Sequence, residues 1–123
     1  MRLLDARAGA EHRPSRGEVW LADLDPAVGH EQAGRRPVLV VSDDSFNRTR
    51  AGLVIIAPIT STLRPLGTRV RIIPPEGGLT RPSDVICEAV RSISKDRLVA
   101  RLGDLESGSM ASVEGRLRLL LHL

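Results

Sequence analysis

The segment Pro37-Val38-Leu39-Val40-Val41 constrains the fold most, because five successive positions carry no polar side chain and three of them are β-branched. β-branched residues suit a pleated backbone and are stiff on a helix. A run this short, with no polar position to turn toward water, is the pattern of a strand covered on both faces. A chain containing such a strand must supply apolar layers above and below it, which calls for a curled sheet or a small barrel.

The rest of the chain offers further strand-sized pieces. Gly17 opens an apolar-rich stretch, Glu18 to Leu24, that ends in the turn-forming pair Asp25-Pro26. Leu53 to Ile59 reads as a third strand, with Pro58 inside it; proline gives the ladder no N–H, which predicts an edge or a bulge, with Thr60 sitting where pairing stops. In Thr68 to Ile73, Val70 and Ile72 alternate with Arg69 and Arg71, predicting a half-exposed strand with one basic face. Glycine and proline punctuate Pro74 to Pro82. Asp84 to Ile93 then reads as one strand and Leu98 to Leu102 as a short strand or turn. Met110, Val113, Leu117, Leu120 and Leu121 recur at helical spacing behind the capping candidates Ser107 and Ser109. Five or six short strands closed by a C-terminal amphipathic helix give a mostly β domain.

At 123 residues the chain fits one domain, large enough to bury roughly two thirds of the surface it exposes when unfolded. Its only cysteine, Cys87, excludes an internal disulfide framework and a cysteine-based zinc site. Residues 1–15 mix charges with small side chains and lack the apolar run of a secretory signal, and no stretch reaches bilayer length. A flexible leader over 1–15, cytoplasmic residence and no membrane association are therefore expected.

The formal net charge is +3, and Lys95 is the single lysine among 18 basic residues. Guanidinium groups fork onto phosphate oxygens, so the balance points toward a polyanion, although a GC-rich genome also favours arginine. Trp20 and Phe46 are the only aromatic residues. An extended stacking platform for single-stranded bases cannot be built from them, which leaves phosphate contacts and base-edge reading.

The loop Gly29 to Pro37 concentrates His30, Glu31, Gln32, Arg35 and Arg36. Arg36 precedes a proline and is therefore kept extended, so its side chain leaves a stiff base. Metal-free RNA cleavage needs a base for the ribose 2′-hydroxyl, positive charge at the developing phosphorane and an acid for the leaving oxygen; Glu31, His30, Arg36 and Thr60 are residues of those types. The same residues also fit a solvated loop in which Glu31 pairs with the arginines, His30 is a surface histidine and Thr60 satisfies a backbone group. Glu88, read as lying on a strand face with Ile86 and Val90, either pairs with Arg91 or Arg36 or has its ionisation displaced.

Several runs taken together resemble the MazF/PemK family of toxins. They are Arg16-Gly17-Glu18-Val19-Trp20-Leu21, Leu24-Asp25-Pro26, Gly29-His30-Glu31-Gln32 with Gly34 and Arg36-Pro37-Val38-Leu39, Phe46-Asn47-Arg48, Pro58-Ile59-Thr60-Ser61 and Val90-Arg91-Ser92-Ile93. They occur in order from Arg16 to Leu121, which places the toxin domain at 16–123. The resemblance implies an SH3-like barrel of five to seven strands with a C-terminal helix, a homodimer, and sequence-selective cleavage of single-stranded mRNA to a 2′,3′-cyclic phosphate and a 5′-hydroxyl. It implies no cofactor and no metal, and a small antitoxin whose extended tail lies over the RNA site. Arg36 and Thr60 match the family's recurrent catalytic pair, with Glu31, Glu88 and His30 as further catalytic candidates; Gln32, Arg35, Ser61, Arg48 and Arg69 are the candidates for RNA contact. The PemK branch carries an arginine where Ile86 stands and a glutamine-like residue where Ala89 stands, so base and acid stay open among Glu31, Glu88 and His30. A rival reading is a non-enzymatic, CcdB-like inhibitor of a protein such as DNA gyrase, on the same barrel but without need of the Gly29 to Pro37 loop or Thr60.

Overall fold

The computed structural model describes residues 13–24 and 34–123. The expected turn at Asp25-Pro26, the loop residues His30, Glu31 and Gln32, and residues 1–12 of the leader lie outside the described residues. Seven strands form one sheet: β1 Glu18–Asp23, β2 Arg35–Val40, β3 Leu53–Thr60, β4 Arg69–Ile72, β5 Ser83–Ile86, β6 Arg91–Ser94 and β7 Leu98–Asp104. Its order is β4-β5-β3-β2-β1-β7, with β6 also paired to β3, and every pairing is antiparallel. A short helix, α1 Asp44–Asn47, follows β2, and a long one, α2 Ser107–Leu121, ends the chain.

The central strands are apolar throughout because their alternate residues enter two cores. Val19, Leu39, Ala57, Ile59 and Val85 point to one, where Val113 of α2 also packs. Trp20, Ala22, Val38, Val40, Val54 and Ile56 point to the other, with Ile93 and Leu98. Each fully buried valine or leucine contributes roughly 1.5–3 kcal/mol, so a polar side chain in Val38 to Val40 would be costly in either direction. Cys87 lies in the first core, where burial pushes its thiol up to about 11. It is a packing residue rather than a nucleophile.

Pro58 lies inside the sheet rather than on its rim, at a gap in the ladder. On one side of β3 it is paired to Val38 of β2. Ile55 turns its N–H toward Ser42 Oγ (3.0 Å) and its carbonyl toward Val41 N (2.9 Å), so by alternation Pro58 turns its nitrogen to the opposite edge. There β6 covers Leu53 to Ile56 and β5 covers Ile59 and Thr60, leaving Ala57 and Pro58 unpaired on that side. The missing N–H falls where no ladder bond is made.

The same gap corrects the reading of Asp84 to Ile93 as one strand. Five residues, 86–90, pass opposite only Ala57 and Pro58, and the surplus is taken up as a 3-10 turn, Cys87–Ala89. Glu88 is consequently an exposed turn residue and does not share an apolar strand face with Ile86 and Val90. The last strand is longer than the Leu98 to Leu102 reading because β1 pairs with it as far as Asp104.

Helix α2 starts as the spacing indicates, but its N-cap is Glu106, with no side-chain capping bond, and Ser107 is already helical. Met110 and Leu117 pack beside Val113, whereas Leu120 and Leu121 are exposed. Asn47 is buried in α1; its Nδ2 donates to Ser42 O (3.0 Å) and its Oδ1 accepts from Ser42 Oγ, tying α1 to the Ser42–Ile55 contact. This gives the Phe46-Asn47-Arg48 motif a structural role at its middle position.

Candidate functional site

Cross-strand neighbours in a sheet point to the same face, so register decides which side chains can act together. Thr60 pairs with Asp84 across β3 and β5, and Asp84 pairs with Arg71 across β5 and β4. On the other side, two residues beyond the Val38–Pro58 pair stand Arg36 on β2 and Thr60 on β3. Continuing the register sets them opposite each other. The result is a polar row, Arg36, Thr60, Asp84, Arg71, running across four strands where the apolar positions end.

Arg36 is exposed, on a backbone paired to Ala22 of β1 and followed by the rigid Pro37. Thr60 is buried, and its Oγ1 accepts from Thr62 N (3.1 Å), which leaves its proton to be donated. A pocket of about 150 Å³ at the same strand ends is lined by Arg36, Pro37, Ile59, Ser61, Leu79, Thr80, Arg81 and Ser83; Thr60 and Asp84 are outside its lining, because Ile59, Ser61 and Ser83 alternate with them and turn to the other face. Two arginines, three hydroxyls and an apolar floor, with no carboxylate among the described lining residues, suit a phosphate with part of a nucleotide.

Asp84 is the one buried acid in the row, 1% exposed. It accepts from Arg71 Nε (2.6 Å) and Arg64 N (2.8 Å), and Arg69 Nη1 lies 3.8 Å away. Burial pushes its carboxyl up, but the hydrogen bonds from Arg71 and the Arg64 amide, with the charges of Arg71 and Arg69, outweigh this and hold it below its ordinary value of 3.8. A carboxyl lowered on folding stabilises the protein above its unfolded value and loses that contribution as pH falls through the lower folded one. Thermal midpoints followed from 3.8 downward should therefore fall more steeply for the wild type than for Asp84→Asn. Parallel acid limbs would show that the pairing contributes nothing.

The other candidates separate. Glu88 takes a hydrogen bond from Thr68 Oγ1 (2.8 Å) and lies 3.5 Å from Arg69 Nε, so its partner is Arg69 rather than Arg91 or Arg36. Arg69 is itself largely buried between Glu88 and Asp84, which makes the β4 face less basic than its alternation indicates. Ser61 lines the pocket. Arg35 is exposed next to Arg36, opposite Asp23. Arg48 lies away from the row, on α1's C-cap, 3.8 Å from Asp44. His30, Glu31 and Gln32 lie outside the described residues. Sequence reasoning missed Asp84 and Arg81; the available signals were a single acid inside a strand and, for Arg81, an Arg-Pro step like that at Arg36-Pro37, a weak signal since Arg13-Pro14 and Arg64-Pro65 share it.

The sequence profile of PemK-like, MazF-like toxins of type II toxin–antitoxin systems matches residues 15–121. The chain belongs to the PemK/MazF toxin family. Among relatives of this PemK/MazF chain, endoribonuclease EndoA of Bacillus subtilis (strain 168) is 39% identical over 110 residues, 88% of this chain and 94% of that protein. Endoribonuclease MazF9 of Mycobacterium tuberculosis (strain ATCC 25618 / H37Rv) is 34% identical over 113 residues, covering 88% and 96%. In three dimensions the chain is similar to MazF of Deinococcus radiodurans, with a TM-score of 0.79 at 30% identity over 89% of this chain and 97% of that one. A MazE–MazF crystal structure from the same organism gives a TM-score of 0.73 at 30% identity, covering 90% and 97%. The mostly β fold with a C-terminal helix is thus that of MazF structures.

Proposed function

We propose that this PemK/MazF-family endoribonuclease is the toxin of a toxin–antitoxin pair and cuts single-stranded mRNA at selected sequences, without a metal, leaving a 2′,3′-cyclic phosphate and a 5′-hydroxyl. The observation that supports this best is the β2–β3 register, which carried two residues past Val38–Pro58 brings Arg36 and Thr60 to one face at adjacent strand ends. In the proposed reaction the ribose 2′-oxygen attacks the adjacent phosphorus, giving its proton to a carboxylate, Glu31 or Glu88. The O2′–P bond forms and the P–O5′ bond breaks, and the departing 5′-oxygen takes up a proton. Arg36 meets the charge that builds on the phosphorane and assists the leaving oxygen, while the Thr60 hydroxyl orients the phosphate. His30, Gln32, Arg35 and Ser61 are proposed as the surrounding RNA-facing residues, with His30 a further acid–base candidate; Arg48, away from the row, would meet RNA only at a distance from the cut, and Arg69, held between Glu88 and Asp84, would act through them.

The protein partner proposed is a cognate antitoxin, by analogy with the MazE–MazF structure, and the working unit is a homodimer. Leu119 and Leu123 are 83% and 85% exposed and adjoin Leu120 and Leu121, an apolar surface that a second subunit would cover. Among the described residues no helix is long and apolar enough to cross a membrane. We place the protein in the cytoplasm, where mRNA is found.

The deciding experiment incubates purified protein with end-labelled single-stranded RNA in excess EDTA. Cleavage at a few sites, with products that a kinase can label at the new 5′ end without prior phosphatase, is the expected outcome. RNA that stays intact while DNA gyrase is inhibited would transfer the chain to the CcdB-like reading.

A further inference from the structure

The segment 61–67 is exposed throughout and starts directly after Thr60, so it flanks the row and is open to the nucleotides beside a phosphate held there. An exposed loop of this kind can discriminate between bases only if its shape is fixed before the RNA arrives, since ordering it on binding would consume affinity without adding discrimination. Its tethers lead back to the polar row. Thr62 N donates to Thr60 Oγ1 (3.1 Å), Arg69 Nη1 donates to Thr62 O (3.4 Å), and Arg64 N donates to Asp84 Oδ2 (2.8 Å). Farther along, Arg116 Nε of α2 donates to Gly67 O (3.2 Å).

Among these tethers Asp84 has the tightest setting. Its carboxylate is 1% exposed, and its other oxygen is engaged by Arg71 Nε, so it cannot follow the loop outward. Its backbone is paired with Thr60 on the β5 side of β3, while the β2–β3 register on the other side of that strand, carried two residues on, sets Thr60 opposite Arg36. We propose that Asp84 is a specificity-determining positioning residue: it clamps the 61–67 loop through the Arg64 amide and so fixes the surface against which nucleotides flanking the cut phosphate are read. Asp84 does not touch the reacting atoms; a carboxylate committed to Arg71, Arg69 and an amide is not available to accept the 2′-hydroxyl proton. The inference rests on the ribonuclease reading, and two of its readouts can be separated from that reading.

The test compares wild type, Asp84→Asn, Arg64→Pro and Arg64→Ala. Asp84→Asn keeps the side-chain shape but weakens its hold on the arginines and the amide. Arg64→Pro removes the donor N–H at an exposed position, while also fixing φ there and restricting Leu63 before it, and leaves Asp84 intact should the Asn variant fail to fold; Arg64→Ala controls for loss of the guanidinium. Cut sites are mapped on one long defined transcript, and kcat/KM is measured on the preferred oligonucleotide and on single-base variants of it. Discrimination between those oligonucleotides is expected to fall about tenfold in Asp84→Asn and Arg64→Pro but not in Arg64→Ala, with new cut sites on the transcript. In RNA-free protein, hydrogen–deuterium exchange should quicken in 62–68 for the first two variants, with the core strands unchanged. Unaltered discrimination in a folded Asp84→Asn or Arg64→Pro protein would overturn the proposal, as would loop exchange equal to wild type. Wild-type protein that fails to cut RNA defeats the ribonuclease reading instead, while the exchange result still decides whether Asp84 holds the loop.

Discussion

Arg36→Ala is expected to lower kcat for RNA cleavage by about 10²- to 10³-fold, the usual consequence of removing one preorganised donor from the place where charge develops in the transition state. Arg36 is exposed and its backbone is secured independently of its side chain, by pairing to Ala22 and by Pro37, so the alanine variant should fold with an unchanged circular dichroism spectrum. Arg36→Lys separates charge from geometry. A lysine keeps the positive charge but loses the planar fork, and should recover only part of the lost rate. Single-turnover rates at saturating RNA provide the measurement, since a defect confined to KM would mean that Arg36 binds ground state and transition state equally. A folded alanine variant with wild-type kcat would remove Arg36 from the mechanism.

How far the site was legible in the sequence follows from which forces act locally. The run Pro37 to Val41 disclosed a strand covered on both faces because burial acts on each side chain separately, and the two cores bear this out. The helix at Met110 to Leu117 was legible for the same reason, whereas Leu120 and Leu121 have the spacing of the stripe but continue past the sheet that α2 packs on. Glu88 was misplaced because its position depends on a non-local event. The chain leaves β3 opposite Pro58, and nothing within 84–93 announces the 3-10 turn that results. Asp84 escaped notice on similar grounds: its three partners, Arg64, Arg69 and Arg71, lie 13 to 20 residues earlier and meet it only through the β4–β5 register. Residues whose roles come from pairing across strands are those that a reading along one strand cannot assign.

Gly78→Ala and Gly103→Ala are expected to be the most damaging small substitutions in the protein, each costing about 3–5 kcal/mol, a large part of the roughly 5–15 kcal/mol that holds a domain of this size folded. The turn Glu76–Gly78 lies against β7 with backbone on backbone. A Cβ on Gly78 would stand 2.0 Å from Leu102 O, and one on Gly103 would stand 2.7 Å from Gly77 C and Gly78 N. These neighbours are main-chain atoms, so no rotamer change relieves the overlap; either the turn lifts away or β7 shifts against β1. Gly78 adds a second penalty, because its φ of +69° is one that alanine adopts only at a cost. Lifting the turn would also break the bond from Glu106 N to Glu76 Oε2 (2.9 Å) at the start of α2, loosening the helix whose Val113 closes the first core. Gly115→Ala is the internal comparison: on α2, with nothing within 4 Å of its added Cβ, it should stabilise by about 0.5–1 kcal/mol through helix propensity. Urea unfolding of the three variants measures all of this. If Gly78→Ala and Gly103→Ala proved as stable as wild type, the close crossing of this turn over β7 would not exist in solution, and the support it gives to α2 would have to come from elsewhere.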